Sequence, residues 1–239
     1  LSGKEFDADV GLVYPSRLIE GGVVDALSDI EWINDSDDVL TSRNKARCTA
    51  LLNRQGVDVP DTFLISNPVS DDEIAEAVEE VGLPAVVKPN SATRGEGVVR
   101  VDDIDSAVGV ADYLRTIHES SLVFDRSFVV QEFVEDARDY RVTVIDGEYV
   151  GAVERRSGGW KHNVHRGAEA VGVTPPSEVV DLAERAAEAV GAGFCGVDIL
   201  RNGARTLVNE TNARPTVDSS EKYETKFYDV LARLVERSK

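Results

Sequence analysis

The sequence has no methionine, only two cysteines, and seven lysines against nineteen arginines. Each shortage excludes something. Cys48 and Cys195 are too few and too far apart to staple a small secreted scaffold, so the expectation is reduced thiols in a cytoplasmic protein. No apolar run approaches the roughly 18 residues that span a bilayer, and the first thirty residues lack the charged start and apolar centre of a secretion signal. The missing methionine leads us to expect part of a longer translated product. Positive charge is also scarce: 26 basic residues against 44 acidic ones leave a formal net charge of -18. Such a surface repels DNA, RNA and anionic membranes, so none of these is an expected partner. Acid excess with little lysine also fits a halophilic protein of a salty cytoplasm, whose self-repulsion only concentrated salt screens well.

What is present is the pattern of a globular chain of 239 residues, 42% hydrophobic, with strands and helices alternating and no internal repeat. Residues 9–14 read as a strand and the next thirty are ambiguous. Ser42 reads as a helix cap, with Gly56 as the stop. Ser70 and Glu73 form a capping box for a helix that ends at Gly82. Short strands follow at 85–88 and 98–101, a helix at 104–118 and a strand at 127–133. Segments 141–145 and 148–154 alternate around Asp146-Gly147, the strongest hairpin signal in the chain. Pro176 opens a helix that stops at Gly191, 196–200 and 206–212 make a second hairpin, and a terminal helix covers about 222–237. Antiparallel hairpins mixed with helices predict an α+β fold with sheets covered on one face. An acidic cluster before Ser42 suggests a boundary near 40, and two lobes would meet near Phe133.

Three features carry chemistry. Lys88 ends a buried strand and precedes a loop with Thr93, Gly95 and Gly97, whose N–H groups could cradle phosphate; a solvated lysine and a surface turn is the competing reading. The spacing is not that of a P-loop. Asp198, Glu210 and Asn212 are oxygen donors suited to Mg²⁺, with Glu210 and Asn212 on one face of a strand. Asp198 shares that face if the hairpin loop is odd-numbered and centred on Ala204, but not if the turn is the pair Asn202-Gly203. We expect the odd loop, because two buried carboxylates would otherwise lack partners. Finally, Arg155, Arg156, Lys161, His162, His165 and Arg166 reverse the prevailing charge, as an anion pocket or as a surface salt-bridge patch.

The order of these elements resembles the ATP-grasp fold and, within it, the RimK-like amino-acid ligases (α-L-glutamate ligase type). Lys45 lies in a helix, Lys88 precedes a glycine loop, then come QEF at 131–133, a strand ending in ERR, HNVHRG, and GVDIL with LVNETN. The likeness runs from about residue 41 to 239, with 1–40 as the remnant of a preceding domain. It implies two α+β lobes with the nucleotide between them. Lys45 and Lys88 would contact ATP phosphates under a lid that includes Thr93, Arg94, Gly95 and Gly97. Glu132 and Phe133 would meet adenine at the hinge, and Asp139 the ribose hydroxyls, with Arg141 in the same pocket. Asp198, Glu210 and Asn212 would hold Mg²⁺, or Mn²⁺ in its place. Arg155, Lys161, Asn163 and Arg166 would face the γ-phosphate and the substrate carboxylate, although lysine at 161 lacks the two-point grip of arginine. The implied reaction is ATP-dependent amide formation through an acylphosphate, adding glutamate or a similar amino acid to a small molecule or a protein C-terminus. Other ATP-grasp ligases, of D-alanine or glutathione-synthetase type, and a non-catalytic ATP-binding module are the alternatives. The same resemblance implies a homo-oligomer.

Overall fold

A computed structural model describes residues 8–15, 18–27, 29–93, 95–120, 125–160, 168–203, 205–216, 219, 222–224 and 226–238. Strands β1 (Val10–Val13) and β2 (Glu31–Asn34) pair in parallel around α1 (Leu18–Asp25). Next come α2 (Ser36–Arg43) and α3 (Lys45–Arg54). The acidic cluster that suggested a boundary is in fact a capping box. The Asp35 carboxylate accepts from the N–H groups of Asp37 and Asp38, and the Asp38 side chain accepts from the Asp35 N–H. Ser42 is no cap. It sits in the last turn of α2, where its hydroxyl donates to the Thr211 carbonyl at 2.7 Å and accepts the Ala213 N–H at 2.8 Å. Asn44 caps α3 instead, accepting the Arg47 N–H.

Two sheets form the body. The first is antiparallel, in the order β3 (Thr62–Ser66), β6 (Ser127–Glu132), β4 (Ala85–Pro89), β5 (Val99–Val101). Helices α4 (Asp71–Val81) and α5 (Ile104–Ser120) cover one face. There Ile74, Val78, Ala107 and Ala111 meet Val87, Phe128 and Val130. Apolar residues at 74, 77, 78 and 81 give α4 its buried stripe, and Ser70 with Glu73 opens it. Strand alternation turns Lys88 and Gln131 to the opposite, helix-free face.

The second sheet runs β11 (Thr206–Asn212), β10 (Phe194–Arg201), β7 (Arg138–Ile145), β8 (Glu148–Arg156), β9 (Glu169–Gly172). Asp146 and Gly147 turn β7 into β8 with φ of 54° and 75°, the positive pair that a tight hairpin of this hand requires. Helix α6 (Ser177–Val190) ends at left-handed Gly191 and, with α3, buries Tyr140, Val142, Val197 and Ile199. Helix α7 (Phe227–Arg237) packs Phe227, Val230 and Leu234 on Ile145, Val150 and Phe194. Among the described residues no helix is long and apolar enough to cross a membrane.

The β10–β11 hairpin decides the site. Its loop is the four residues 202–205, since Arg201 pairs with Thr206, Leu200 with Leu207 and Ile199 with Val208. The odd loop expected from the sequence does not form. Asn202 closes the even one, its N–H donating to the Arg205 carbonyl at 3.2 Å and its side chain accepting the Arg205 N–H at 3.1 Å. Continued unbroken, this register would set Asn209 opposite Asp198 and turn Glu210 into the apolar layer under α6. A bulge at Asn209 restores the other face: Asp198 pairs with Glu210, Val197 with Thr211 and Gly196 with Asn212. The expected face is right, and the device that produces it is different.

Candidate active site

Five charges alternate across the face of the second sheet that lies opposite α6. Arg155 on β8 donates to one oxygen of Asp139 on β7, at 3.0 and 2.6 Å, and its Nη2 also lies 2.9 Å from Asp198 on β10. Arg141 on β7 forks Asp198 at 2.6 and 2.7 Å and comes within 3.9 Å of Glu210 on β11. Register sets this order, because Asp198 lies between Arg141 and Glu210 on adjacent strands. Asp198 is 1% exposed. Burial alone would raise its pKa, but the charges of Arg141 and Arg155 overcome that and hold the carboxyl below its usual range. Glu210 shifts the opposite way: burial first, and then the charge of Asp198, push it up, with Lys45, Lys88 and Arg141 opposing.

Asn212 follows Glu210 by two residues, and its side-chain oxygen accepts the Arg214 N–H at 2.9 Å. Among the described residues no three His, Cys, Asp or Glu side chains form a metal cluster. The candidate set is two carboxylates and one amide. All are hard oxygen donors, and Glu210, 3.9 Å from Arg141 and pushed up by burial and by Asp198, is the weakly paired member, so the set fits a small divalent cation.

Facing this row are two lysines of a different kind. Lys88, 5% exposed, donates to Gln131 Oε1 at 2.7 Å and to Asn209 Oδ1 at 3.3 Å. Burial pulls its pKa down to about 8, against the opposing pull of Glu210. Lys45 opens α3 and donates to the carbonyls of Asn90, at 3.4 Å, and Ala92; its pKa too is lowered by burial. Asn90 clamps the glycine loop to that helix: its carbonyl accepts the Lys45 N–H at 3.2 Å and its side chain the Ala46 N–H at 2.9 Å. Gly97 has φ of 69°, and a Cβ there would come 2.7 Å from the Pro89 ring. Thr93 is exposed, with its carbonyl accepting the Glu96 N–H; Gly95, like Gly97, has positive φ.

At the end of β6, the Glu132 N–H is already given to the Asp61 carbonyl at 2.9 Å, and its carboxylate is paired with Arg205. Phe133 carries the Arg100 guanidinium 4.7 Å from its ring centroid and Trp160 edge-on at 5.9 Å. Asp139, expected on the ribose, also belongs to the ion-pair row, because alternation on β7 gives it the same face as Arg141. The basic stretch begins with arginines that are already paired: Arg155 with Asp139 and Asp198, and Arg156 with Glu154. Arg94, Lys161, Asn163 and Arg166 lie outside the described residues, as do His162 and His165. Sequence reasoning missed Asn209 and Arg205. Their roles depend on the bulge and on the hairpin loop, which spacing alone does not reveal. A separate groove of about 400 Å³ between β3 and α4 contains none of these residues.

Two helix-backed sheets that turn lysines and carboxylates toward each other match the architecture of the ATP-grasp fold. Solved structures agree on the fold. D-alanine–D-alanine ligase from Bacillus anthracis complexed with ATP superimposes with a TM-score of 0.69 over 90% of this chain and 73% of its own, at 17% identity. The ATP-grasp ligase PsnB complexed with minimal precursor gives 0.65 over 92% and 70%, at 20% identity. The RimK-like ATP-grasp domain model matches residues 42–236, and the chain belongs to that family. Similar curated proteins include a probable alpha-L-glutamate ligase of Citrobacter koseri, 35% identical over 85% of this chain. Another is the ribosomal protein bS6–L-glutamate ligase of Salmonella paratyphi B, 34% identical over 85%. The chain spans 66% of the length of each.

Proposed function

We propose that the chain is an ATP-dependent carboxylate–amine ligase that joins glutamate, or a similar amino acid, to a carboxylate acceptor. One observation carries this reading. Two ammonium groups, buried Lys88 and half-buried Lys45, have neutral oxygens as their hydrogen-bond partners among the described residues and face Glu210, a carboxylate raised in pKa by burial and by neighbouring Asp198. That arrangement suits a polyphosphate with its cation. Lys45 and Lys88 take the phosphates, and the loop with Thr93, Arg94, Gly95 and Gly97 folds over them. Glu132 and Phe133 border the base and Asp139 the ribose side, where it also holds Arg155 in place. Asp198, Glu210 and Asn212 would hold Mg²⁺ or Mn²⁺, which supplies charge neutralisation for the triphosphate.

The acceptor carboxylate oxygen bonds to the γ-phosphorus as the bond to the departing ADP breaks, giving an acylphosphate. The amine nitrogen then bonds to the acyl carbon, phosphate leaves, and the amine releases a proton. Phosphoryl transfer asks the protein mainly for alignment and charge compensation. Arg141, Arg155, Lys161, Asn163 and Arg166 provide the compensation on the acceptor side. The similar proteins are named for L-glutamate and, in one case, for ribosomal protein bS6. Glutamate is therefore the amine we favour, with a protein tail or a small acid as acceptor. Two buried free thiols suit a cytoplasmic setting, and we carry a homo-oligomer as part of the proposal.

The test is mass spectrometry of reactions with ATP, glutamate and a panel of carboxylate acceptors. Release of ADP and phosphate that depends on acceptor, with a product heavier by one glutamyl residue, is the expected result. Bound ATP without acceptor-dependent turnover would favour a binding module, and a D-alanine dipeptide would favour the other ligase class.

A further inference from the structure

We infer that Asn209 is a positioning residue for Lys88, and that the bulge in β11 lets it share one cleft with Glu210. In an unbroken strand, neighbours point to opposite faces, so Asn209 and Glu210 could not both serve one cleft. Here they do. Glu210 stands opposite Asp198 in the charge row, while Asn209 Oδ1 accepts from Lys88 Nζ at 3.3 Å. Lys88 and its second partner, Gln131, belong to the first sheet, at 2.7 Å from each other; Asn209 belongs to the second. The Lys88 ammonium therefore links the two lobes, fixed from both sides.

The chemistry of the two partners matters as much as their positions. Both are amide oxygens. A carboxylate at either place would neutralise the ammonium and compete with a phosphate for it; an alkyl group would leave a buried ammonium short of an acceptor. An amide aims the charge without cancelling it, so an incoming phosphate becomes its countercharge. Gln131 is itself fixed, its amide N–H donating to Thr62 Oγ1 at 2.8 Å, which orients its oxygen toward Lys88. Asn209 supplies the matching oxygen from the other lobe, and the break in register at this residue lets Glu210 serve the same cleft beside it.

This inference rests on the proposed use of Lys88 for ATP phosphate, and a double-mutant cycle tests it apart from that use. Affinity for ATP, without added metal, is measured calorimetrically for the unsubstituted chain, Asn209→Ala, Lys88→Met and the double variant. Asn209→Ala is expected to weaken ATP binding about fivefold or more, and the same change in the Lys88→Met background by less than about twofold, because the two act as one unit. Asn209→Asp should weaken binding more than Asn209→Ala, since it supplies a competing countercharge. Equal losses in both backgrounds, or no loss from Asn209→Ala, overturn the inference while leaving the ligase reading intact. Failure of the unsubstituted chain to bind ATP overturns both. Unchanged melting temperatures of the single variants separate these outcomes from misfolding.

Discussion

The two faces of the cleft treat their charges in opposite ways. On the second sheet, Asp139, Arg155, Asp198, Arg141 and Glu210 form a row in which both arginines grip carboxylates. Across the cleft, Lys88 on the first sheet and Lys45 at the start of α3 have, among the described residues, carbonyl and amide oxygens as hydrogen-bond partners. One face has its charges largely matched before any ligand arrives, and the other leaves its cations to be matched. Buried charge normally requires a partner, so the lysine face is a departure that a polyanionic substrate would explain.

Substitution at one residue on each face tests that contrast most severely. Asp198→Ala takes both of its short bonds from half-buried Arg141 and leaves buried Arg155 to Asp139, so denaturant unfolding should show a loss of about 3–5 kcal/mol. Lys88→Met removes an ammonium whose hydrogen-bond partners among the described residues are neutral amides; it should change stability by less than about 1 kcal/mol yet weaken ATP binding at least about tenfold. Equal destabilisation by both would erase the distinction. A smaller effect is expected from pH. Lys88 is charged below about 8 and neutral above it, against 10.5 for an ordinary lysine. ATP affinity should therefore fall as pH rises past 8, and Lys88→Met should flatten that decline. Stability has the opposite sign: between 8 and 10.5 the unfolded chain binds the extra proton, so the Lys88 contribution to stability rises with pH. Least affected should be Arg205→Ala. Arg205 is nearly half exposed in its pair with Glu132, and its loss should cost no more than about 1 kcal/mol in thermal unfolding. If the acid excess is a halophilic adaptation, melting temperature should also climb with KCl; a flat response would remove that reading.

Much of this was legible in the residues. The Ser70–Glu73 capping box, the Asp146-Gly147 hairpin, the Gly191 stop and the Lys88 strand all follow local rules that the structure keeps. Strands β2, β3 and β9 were not legible, being four or five residues long and without clear alternation. The beginning of α3 was misread because Ser42 has the chemistry of a cap but spends it on β11. The convergence of Asp198 and Glu210 was expected on grounds of partnership, yet the loop parity that produces it was wrong. A one-residue bulge is invisible to spacing and shifts every side chain beyond it. Arg141 and Asp139 were placed in the pocket by family likeness. Their engagement with Asp198 and Arg155 emerges only once the register of four strands is known.

In the proposed site, Lys45, Lys88 and the carboxylates Asp198 and Glu210 form one receptor for a triphosphate and its cation. Calorimetric titration of ATP with and without Mg²⁺, repeated on Glu210→Gln, addresses it directly. The account predicts that Mg²⁺ tightens ATP binding at least about tenfold in the unsubstituted chain and that the gain disappears in the variant. Binding that ignores Mg²⁺ in both, or no heat at all, would contradict it.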